Sequence, residues 1–465
     1  MTVADLLVVG TGPAGMAAAI RARQSGLSTI VVDDQRAPGG QIWRSIETAA
    51  SREAILGAAY VEGRDVASAF RAAGVDYRPG TQLWQIEEGF RVFVSQNRRP
   101  EVIAAATVLL ATGAMERPVP FPGWTLPGVM TVGAAQILLK TSGQVPDHPV
   151  WIAGSGPLPL LYAVQLLRAG GSIAGYLDTT PAGQWRSALR HISGAARGWS
   201  DIAKGLGWIA SLRRSGVAVV RHVTGIEALG EDCLTTLRYR TSNGRVVEQA
   251  ADVLLVHEGV VPNIHVASSL GCEMRWDAAQ ECFAPIVDEW GQSSRPGVFI
   301  AGDGAGIVGA RASRWQGDLA ALGVARSLGR VTAQHAEQEA GPTRRHIARE
   351  TGARAFLDAM FRPRPEVVAP SDDTIVCRCE EVTAGEIREA ATGAVVGPNQ
   401  IKAALRVGMG PCQGRQCGYP VARLIGAAQR RSPAEVGYYH VRPPLKPITL
   451  EELAQLHEVI GVQEN

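Results

Sequence analysis

The chain has 465 residues, 46% of them hydrophobic and 19% charged, with 53 glycines. That length holds about three domains of roughly 150 residues, and the composition is too apolar for disorder. A net charge of +2 gives no electrostatic case for nucleic acid or an anionic membrane surface, and the longest apolar run, 102–111, falls short of the about 20 residues of a membrane helix.

The chain enters directly on an apolar strand, residues 5–10, without the basic, apolar and small-residue parts of a secretory signal. Cys233, Cys272 and Cys282 are scattered, as core fillers in a cytoplasmic protein would be. After the strand comes Gly10-Thr11-Gly12-Pro13-Ala14-Gly15, then a helix to about Ser25 and a second strand, Ser28 to Val32. This is the opening of a doubly wound sheet. The first glycine makes the turn, the second admits a pyrophosphate, and the third lets helix and strand touch, with helix N–H groups facing the phosphate. Asp34, nineteen residues after Gly15, is expected to accept from ribose hydroxyls; Asp33 competes with it, because strand register is open. Gly40 and Gln41, in the segment that follows, are expected to contact the same cofactor.

A buried strand near Val108 ends in Ala111-Thr112-Gly113, and a Pro/Trp-dense passage runs from Glu116 to Gly128. About 145 residues after the first turn, the strand–glycine–helix pattern recurs at Gly154-Ser-Gly156-Pro-Leu-Pro159, with Asp178 nineteen residues beyond. Pro159 stands where the third glycine should be. The second unit therefore reads either as a site for NAD or another adenine nucleotide, or as a vestigial fold kept for packing. The first fold resumes at Gly297-Val-Phe-Ile-Ala-Gly302-Asp303, where a carboxylate would meet a ribityl hydroxyl. The combined segments read as an FAD site.

Arg311, Arg314 and Trp315 face either a flavin or solvent. None of the nine histidines forms a recognisable acid–base or metal-ligand set, so the catalytic residues are unassigned. Residues 331–371 are charged, then Pro-rich, as in a linker. Beyond them stand Cys377-Arg-Cys379 and Cys412-Gln-Gly-Arg-Gln-Cys417. Two thiolates from each of two tight turns are what a [2Fe-2S] cluster needs, with zinc as the competing metal, although zinc ribbons usually pair CxxC knuckles. Arg378 and Arg415 beside the ligands would favour the reduced cluster.

The fold class expected is α/β, with two dinucleotide-binding (Rossmann-like) domains of the flavoprotein disulfide reductase architecture and a small C-terminal mainly helical [2Fe-2S] domain. The boundaries are 1–125 with 285–330 for the first domain, 126–284 for the second, 331–371 for the helical linker, 372–430 for the cysteine domain and 431–465 for a tail. The architecture resembles the disulfide reductases, but Gly39-Gly-Gln-Ile-Trp43 carries no redox cysteine, which argues against disulfide reduction.

The cysteine segments resemble the bacterioferritin-associated ferredoxin-type domain, in which all four cysteines are ligands. With 33–42 and 111–130, nearly the full length resembles the α subunit of heteromeric flavin-dependent amine dehydrogenases and oxidases, the opine oxidase, D-hydroxyproline dehydrogenase and hydrogen cyanide synthase type. That resemblance implies FAD and [2Fe-2S] on this chain and a smaller flavoprotein β subunit that oxidises a small-molecule amine. It also admits FMN at a subunit interface and a small third subunit. Two rivals stand beside it: a self-contained NAD(P)H-dependent reductase, and a redox-silent scaffold.

Overall fold

The computed structural model describes residues 3–393 and 395–461. Its first sheet is built from β1 (Ala4–Val9), β2 (Thr29–Asp33), β3 (Asp76–Pro79), β4 (Thr81–Ile86), β5 (Arg91–Gln96) and β6 (Arg99–Leu110), in the order β3-β2-β1-β6-β5-β4. The strand Val298–Ile300 returns late in the chain to pair with β6. β6 is long because it serves two sheet types. Its first half pairs antiparallel with β5 and its second half parallel with β1 and Val298–Ile300.

The helix α1 (Pro13–Gln24) starts on a proline at its first turn and is buried along Ala14, Gly15, Met16, Ala17, Ala18 and Ala19. Such small residues are needed because α1 is pressed from two sides. A methyl on Gly15 would collide with the Gly10 carbonyl of the turn, and one on Gly317, in the helix Ala310–Ser327, would collide with the Ala14 carbonyl.

The second sheet is five-stranded and parallel, in the order Val219–Arg221, Ile173–Asp178, Val150–Ser155, Val253–Glu258, Val129–Thr131. Between Asp178 and Val219 the chain makes three helices, Gln184–Leu189, Ile192–Arg197 and Trp199–Arg214. An antiparallel hairpin, Met274–Asp277 with Cys282–Pro285, leaves this domain and packs Phe283 into the core of the cysteine domain, among Val376, Ile387, Ile401 and Val421. That third core is mainly helical: Ala384–Ala391, with a Thr383/Glu386 capping box, then Pro398–Leu405 and Gly418–Gln429.

Residues 331–371 are a strap rather than a loose connection. Arg364 lies buried against Glu258 at 2.8 Å, their side chains 6% and 3% exposed, and donates to the Thr224 carbonyl. Arg362 pairs with Glu281 at 2.9 Å, and Arg423 of the cysteine domain pairs with the same carboxylate. The residues after 430 are tied down as well. Tyr439 enters the cysteine-domain core, Leu445 N–H donates to the Trp84 carbonyl, and Leu456 packs on Trp84, Phe93 and Val102.

Removing one partner of a buried ion pair strands the other charge, at a cost of about 3–5 kcal/mol. Arg364→Ala is therefore expected to lower the unfolding midpoint sharply. Arg364→Met combined with Glu258→Leu should recover most of the loss. Thermal unfolding of the three proteins checks both outcomes.

Candidate functional site

The first glycine turn is a tightly packed cradle. Gly10 has φ +101°, and a Cβ there would lie 2.6 Å from the Ala111 carbonyl oxygen, so the turn sits directly on the Ala111-Thr112-Gly113 strand end. A Cβ on Gly40 would come within 2.8 Å of the Gly12 Cα, so the 39–41 loop closes over the same turn. The first turn of α1, at Pro13, Ala14 and Gly15, has no side-chain cap and no acidic residue. Its N–H groups and the positive end of its dipole are thus left for an anion.

The two candidate acids separate. Asp33 Oδ2 accepts from Thr11 N at 2.6 Å and Thr11 Oγ1 at 2.5 Å, while Oδ1 accepts from Gln35 N at 2.7 Å. Burial raises its pKa against the pull of those donors. Asp34 turns the other way, to the Lys446 ammonium in the C-terminal segment and to Gln35 Nε2. Burial acts to raise the Asp34 pKa, but Lys446 outweighs it and the carboxyl sits below its ordinary range. Successive strand residues point to opposite faces, which is why adjacent aspartates part company here. Thr11, fully buried, was not singled out by sequence; its signal was a hydroxyl inside the turn.

Sequence also passed over Lys140. Its Nζ donates to the Gln41 carbonyl at 3.1 Å and to Gln136 Oε1 at 2.8 Å, and Gln136 continues through Gln165 to the Leu56 carbonyl. Burial, with the Arg44 charge nearby, pushes its pKa from 10.5 to about 7. The network joins the second domain to the loop that covers the first turn.

Gly302 N–H donates to Gln316 Oε1 at 3.0 Å. Asp303 Oδ1 accepts from Val308 N and Gly309 N, both at 2.8 Å, and so fixes the 304–309 loop. Thr112 Oγ1 donates to the Asn263 carbonyl at 2.9 Å, and Asn263 N–H returns the bond to Gly113. Arg311 pairs with Glu62, and Trp315 stacks on His346 at 4.2 Å, so neither side chain is spent on the glycine turn.

In the second domain, Gly154 lies in its strand against the His257 carbonyl, and Gly156 turns at φ +102° with open space beside it. Asp178 Oδ1 accepts from Thr180 N at 3.0 Å, and Ser155 Oγ lies 3.0 Å from Thr180 Oγ1. Pro159 is buried in the first turn of the following helix.

The four terminal cysteines come together, close enough that Cys377 and Cys417, and Cys379 and Cys412, shift one another's pKa. The Cys417 thiol and the Gly408, Glu380 and Cys379 backbone bring Cys377 down to about 6, while Cys417 is pushed up by Cys377 and by burial. Among the described residues no three His, Cys, Asp or Glu side chains converge on a single ion-sized point. Four thiols gathered from two tight turns are a donor set that fits a binuclear cluster, in which each iron takes two thiolates.

The surroundings of this pocket come from distant segments. A Cβ on Gly410 would strike Cys379. Tyr439 lies against Gly408 and Gly414, its hydroxyl 3.8 Å from Cys417 Sγ, and Tyr438 Oη donates to the Gly414 carbonyl at 3.3 Å. Arg415 donates to the Leu445 carbonyl at 3.2 Å, and Arg378 lies over the Trp124 ring at 6.0 Å. Trp124 Nε1 donates to the Ile375 carbonyl at 2.6 Å, which gives the Pro/Trp passage a physical purpose: it buttresses the cysteine strand. His265, two residues after Asn263, is buried edge-on to Tyr438 at 6.1 Å, its ring near the Gln413 backbone but, among the described residues, without a well-aligned hydrogen bond at either nitrogen. Burial, with the Arg415 charge, pushes its pKa down to about 4.

The family described as pyridine nucleotide-disulphide oxidoreductase matches residues 4–340, and that described as BFD-like [2Fe-2S] binding domain matches residues 375–427. An opine oxidase subunit of Rhizobium meliloti (strain 1021) is 42% identical over 463 residues, 98% of this chain and 100% of that one. Hydrogen cyanide synthase subunit HcnB of Pseudomonas protegens is 31% identical, over 95% of this chain and 96% of its own. The crystal structure of L-proline dehydrogenase from P. horikoshii shares the fold, with a TM-score of 0.71 at 18% identity, over 97% of this chain and 79% of that chain.

If Asp33 receives the ribose, Asp33→Asn should weaken FAD retention about ten- to a hundredfold, the worth of a charge-assisted hydrogen bond, whereas Asp34→Asn should leave it unchanged. Flavin absorbance per chain after dialysis reads both. Between pH 7 and the ordinary lysine value, the unfolded chain holds a proton at Lys140 that the folded chain does not, so wild-type stability rises with pH across that window. A Lys140→Met variant should lack this component, as unfolding midpoints at the two ends of the window would show.

Proposed function

We propose a function from one premise: the chain belongs to the pyridine nucleotide-disulphide oxidoreductase family, and within it to the group that contains the opine oxidase relative described above. It is the FAD- and [2Fe-2S]-carrying electron-transfer subunit of a heteromeric dehydrogenase that oxidises the C–N bond of an amino-acid-derived secondary amine, of opine or hydroxyproline/proline type. A smaller flavoprotein subunit carries the substrate site. FMN at the interface and a small third subunit complete the assembly.

The observation that carries this reading is the junction between the two cradles. Val260–Pro262 pairs with Ala114–Glu116, Asn263 is bonded to Thr112 and Gly113, and His265 meets Tyr438 beside the cysteine loop. One short segment thus joins the glycine-turn domain to the thiol pocket. When bound, the flavin takes up electrons in pairs and the cluster passes them on singly.

The chain's own residues hold and shield these groups. Asp33 orients the adenosine ribose, the bare N-terminus of α1 balances the pyrophosphate charge, and Asp303 keeps the 304–309 loop in place through its backbone bonds. Cys377, Cys379, Cys412 and Cys417 supply the thiolates. Tyr439, buried, covers Cys417, and Tyr438 holds the Gly414 loop, while Cys379 stays open to solvent.

A second reading, an NAD(P)H-dependent reductase, draws on the open space beside Gly156 and on Asp178 at the neighbouring strand end. The buried Pro159 in the helix's first turn weighs against it.

Anaerobic addition of an N-substituted amino acid should reduce the flavin and cluster of this chain only when the smaller subunit is present. Reduction of the isolated chain by the amine would defeat the division of labour, and rapid bleaching of it by NADH would favour the reductase. Cys412→Ser should abolish the cluster signal while FAD stays bound; full turnover of that variant in the complex would leave the cluster without a role.

A further inference from the structure

The hairpin of Met274–Asp277 and Cys282–Pro285 turns at residues 278–281, and two consecutive residues of that turn lead to different domains. The Gln280 side chain reaches the 304–309 loop of the first domain. Its Nε2 donates to the Ile307 carbonyl at 3.0 Å, and its Oε1 accepts from the Ile307 N–H at 3.2 Å. The same Nε2 donates to Asp358 Oδ2 of the strap at 3.3 Å, and Arg354 donates to Asp358 Oδ1 at 2.7 Å. These partners admit one orientation of the amide, since an N–H needs the oxygen while a carbonyl and a carboxylate need the nitrogen. The Gln280 backbone is fixed as well. Its N–H donates to Asp277 Oδ1 at 3.0 Å, and its carbonyl receives the buried Arg117 at 2.5 Å.

Glu281, next in the chain, is buried, and its carboxylate takes Arg362 of the strap and Arg423 of the cysteine domain. Cys282 and Phe283, which follow, lie in the cysteine-domain core. At the other end of the clamp, the loop starts at the glycine cradle. A Cβ on Gly302 would lie 2.9 Å from that of Ala14, and one on Gly304 would lie 3.1 Å from Thr112 Oγ1. Asp303 takes the N–H groups of Val308 and Gly309, and Gln280 takes that of Ile307. Three successive N–H groups of this loop are therefore bound by side chains, one of them from another domain.

We propose that Gln280 is a positioning residue for the flavin. It clamps the 304–309 loop beside the cradle, and through Glu281 it makes the order of that loop depend on the seating of the cysteine domain. An amide with both ends on one peptide resists sliding in either direction, which a single bond or an apolar contact does not. Ile307 is buried, and buried backbone groups are costly to leave unpaired, so a hairpin pulled out of place strands both its N–H and its carbonyl. The two redox domains thus meet at adjacent residues of one turn. This role rests on FAD in the first domain and holds whichever amine is oxidised.

The test uses the full chain with its cofactors and reads hydrogen exchange of the 304–309 amides together with the visible circular dichroism of the flavin. Gln280→Met keeps the shape and removes the bonds. Loop exchange should then rise about three- to tenfold, the worth of one hydrogen bond, and the flavin signal should change with it. Gln280→Glu, which keeps only the acceptor for Ile307, should fall between that variant and the wild type. Arg423→Met lies on the cysteine-domain side and leaves Arg362 on Glu281. It should raise loop exchange in the same direction, yet add nothing further in a Gln280→Met background. Either Gln280 variant, folded, with the loop exchange and flavin signal of the wild type overturns the proposal. So does an Arg423→Met effect that is absent, or one that Gln280→Met leaves undiminished. A wild type without FAD defeats the reading of the first domain and this role together, whereas FAD-loaded variants that do not respond defeat this role alone.

Discussion

The structure depends on how closely α1 approaches its neighbours. Gly15 leaves room for the Gly10 carbonyl on the sheet side, and Gly317 leaves room for the Ala14 carbonyl on the helix side. Both contacts are nearer than any side chain would allow. They place the first turn of α1 where its N–H groups face outward together, and they bring Ala111, Gly40 and Gly302 in around the same point. An anion cradle built this way needs no cationic side chain, since backbone donors and the helix dipole supply the positive field.

A second set of constraints fixes the cysteine domain to the rest. Arg117 is buried and donates to the carbonyls of Glu258, Gln280 and Glu281, so one guanidinium holds together the second sheet and the hairpin that enters the cysteine core. Glu281 and Glu258 in turn receive Arg362, Arg423 and Arg364. Buried ion pairs of this kind contribute little net stability compared with apolar packing, but they tolerate few alternative arrangements. Rigid placement is what two redox centres at a fixed separation require. The same logic accounts for Trp124, whose indole N–H fixes the strand that ends in Cys377.

Much of the site could be read from contiguous sequence. The two glycine turns, the acid at the end of the second strand and the two cysteine pairs are all short patterns whose chemistry is local. They appear in the structure where strand–turn–helix logic puts them. The residues that eluded sequence reasoning share one trait: their partners are far along the chain. Lys140 meets Gln41, Tyr438 holds the Gly414 loop, Tyr439 covers Cys417, and Lys446 takes Asp34. The segment from 331 to 371 has a linker's composition, yet Arg364 is buried and Arg362 is paired, because their carboxylate partners lie in another domain.

The amino-acid sequence alone determined the α/β class, the repeated nucleotide-binding pattern and a terminal four-thiol domain, because each is encoded by neighbours within a few turns of backbone. Which of Asp33 and Asp34 faces the glycine turn and how the thiols come together were decided only by tertiary structure. Register, burial and the approach of distant segments are properties of the packed chain, and a one-residue change in strand facing is enough to send a carboxylate to the opposite side of the sheet.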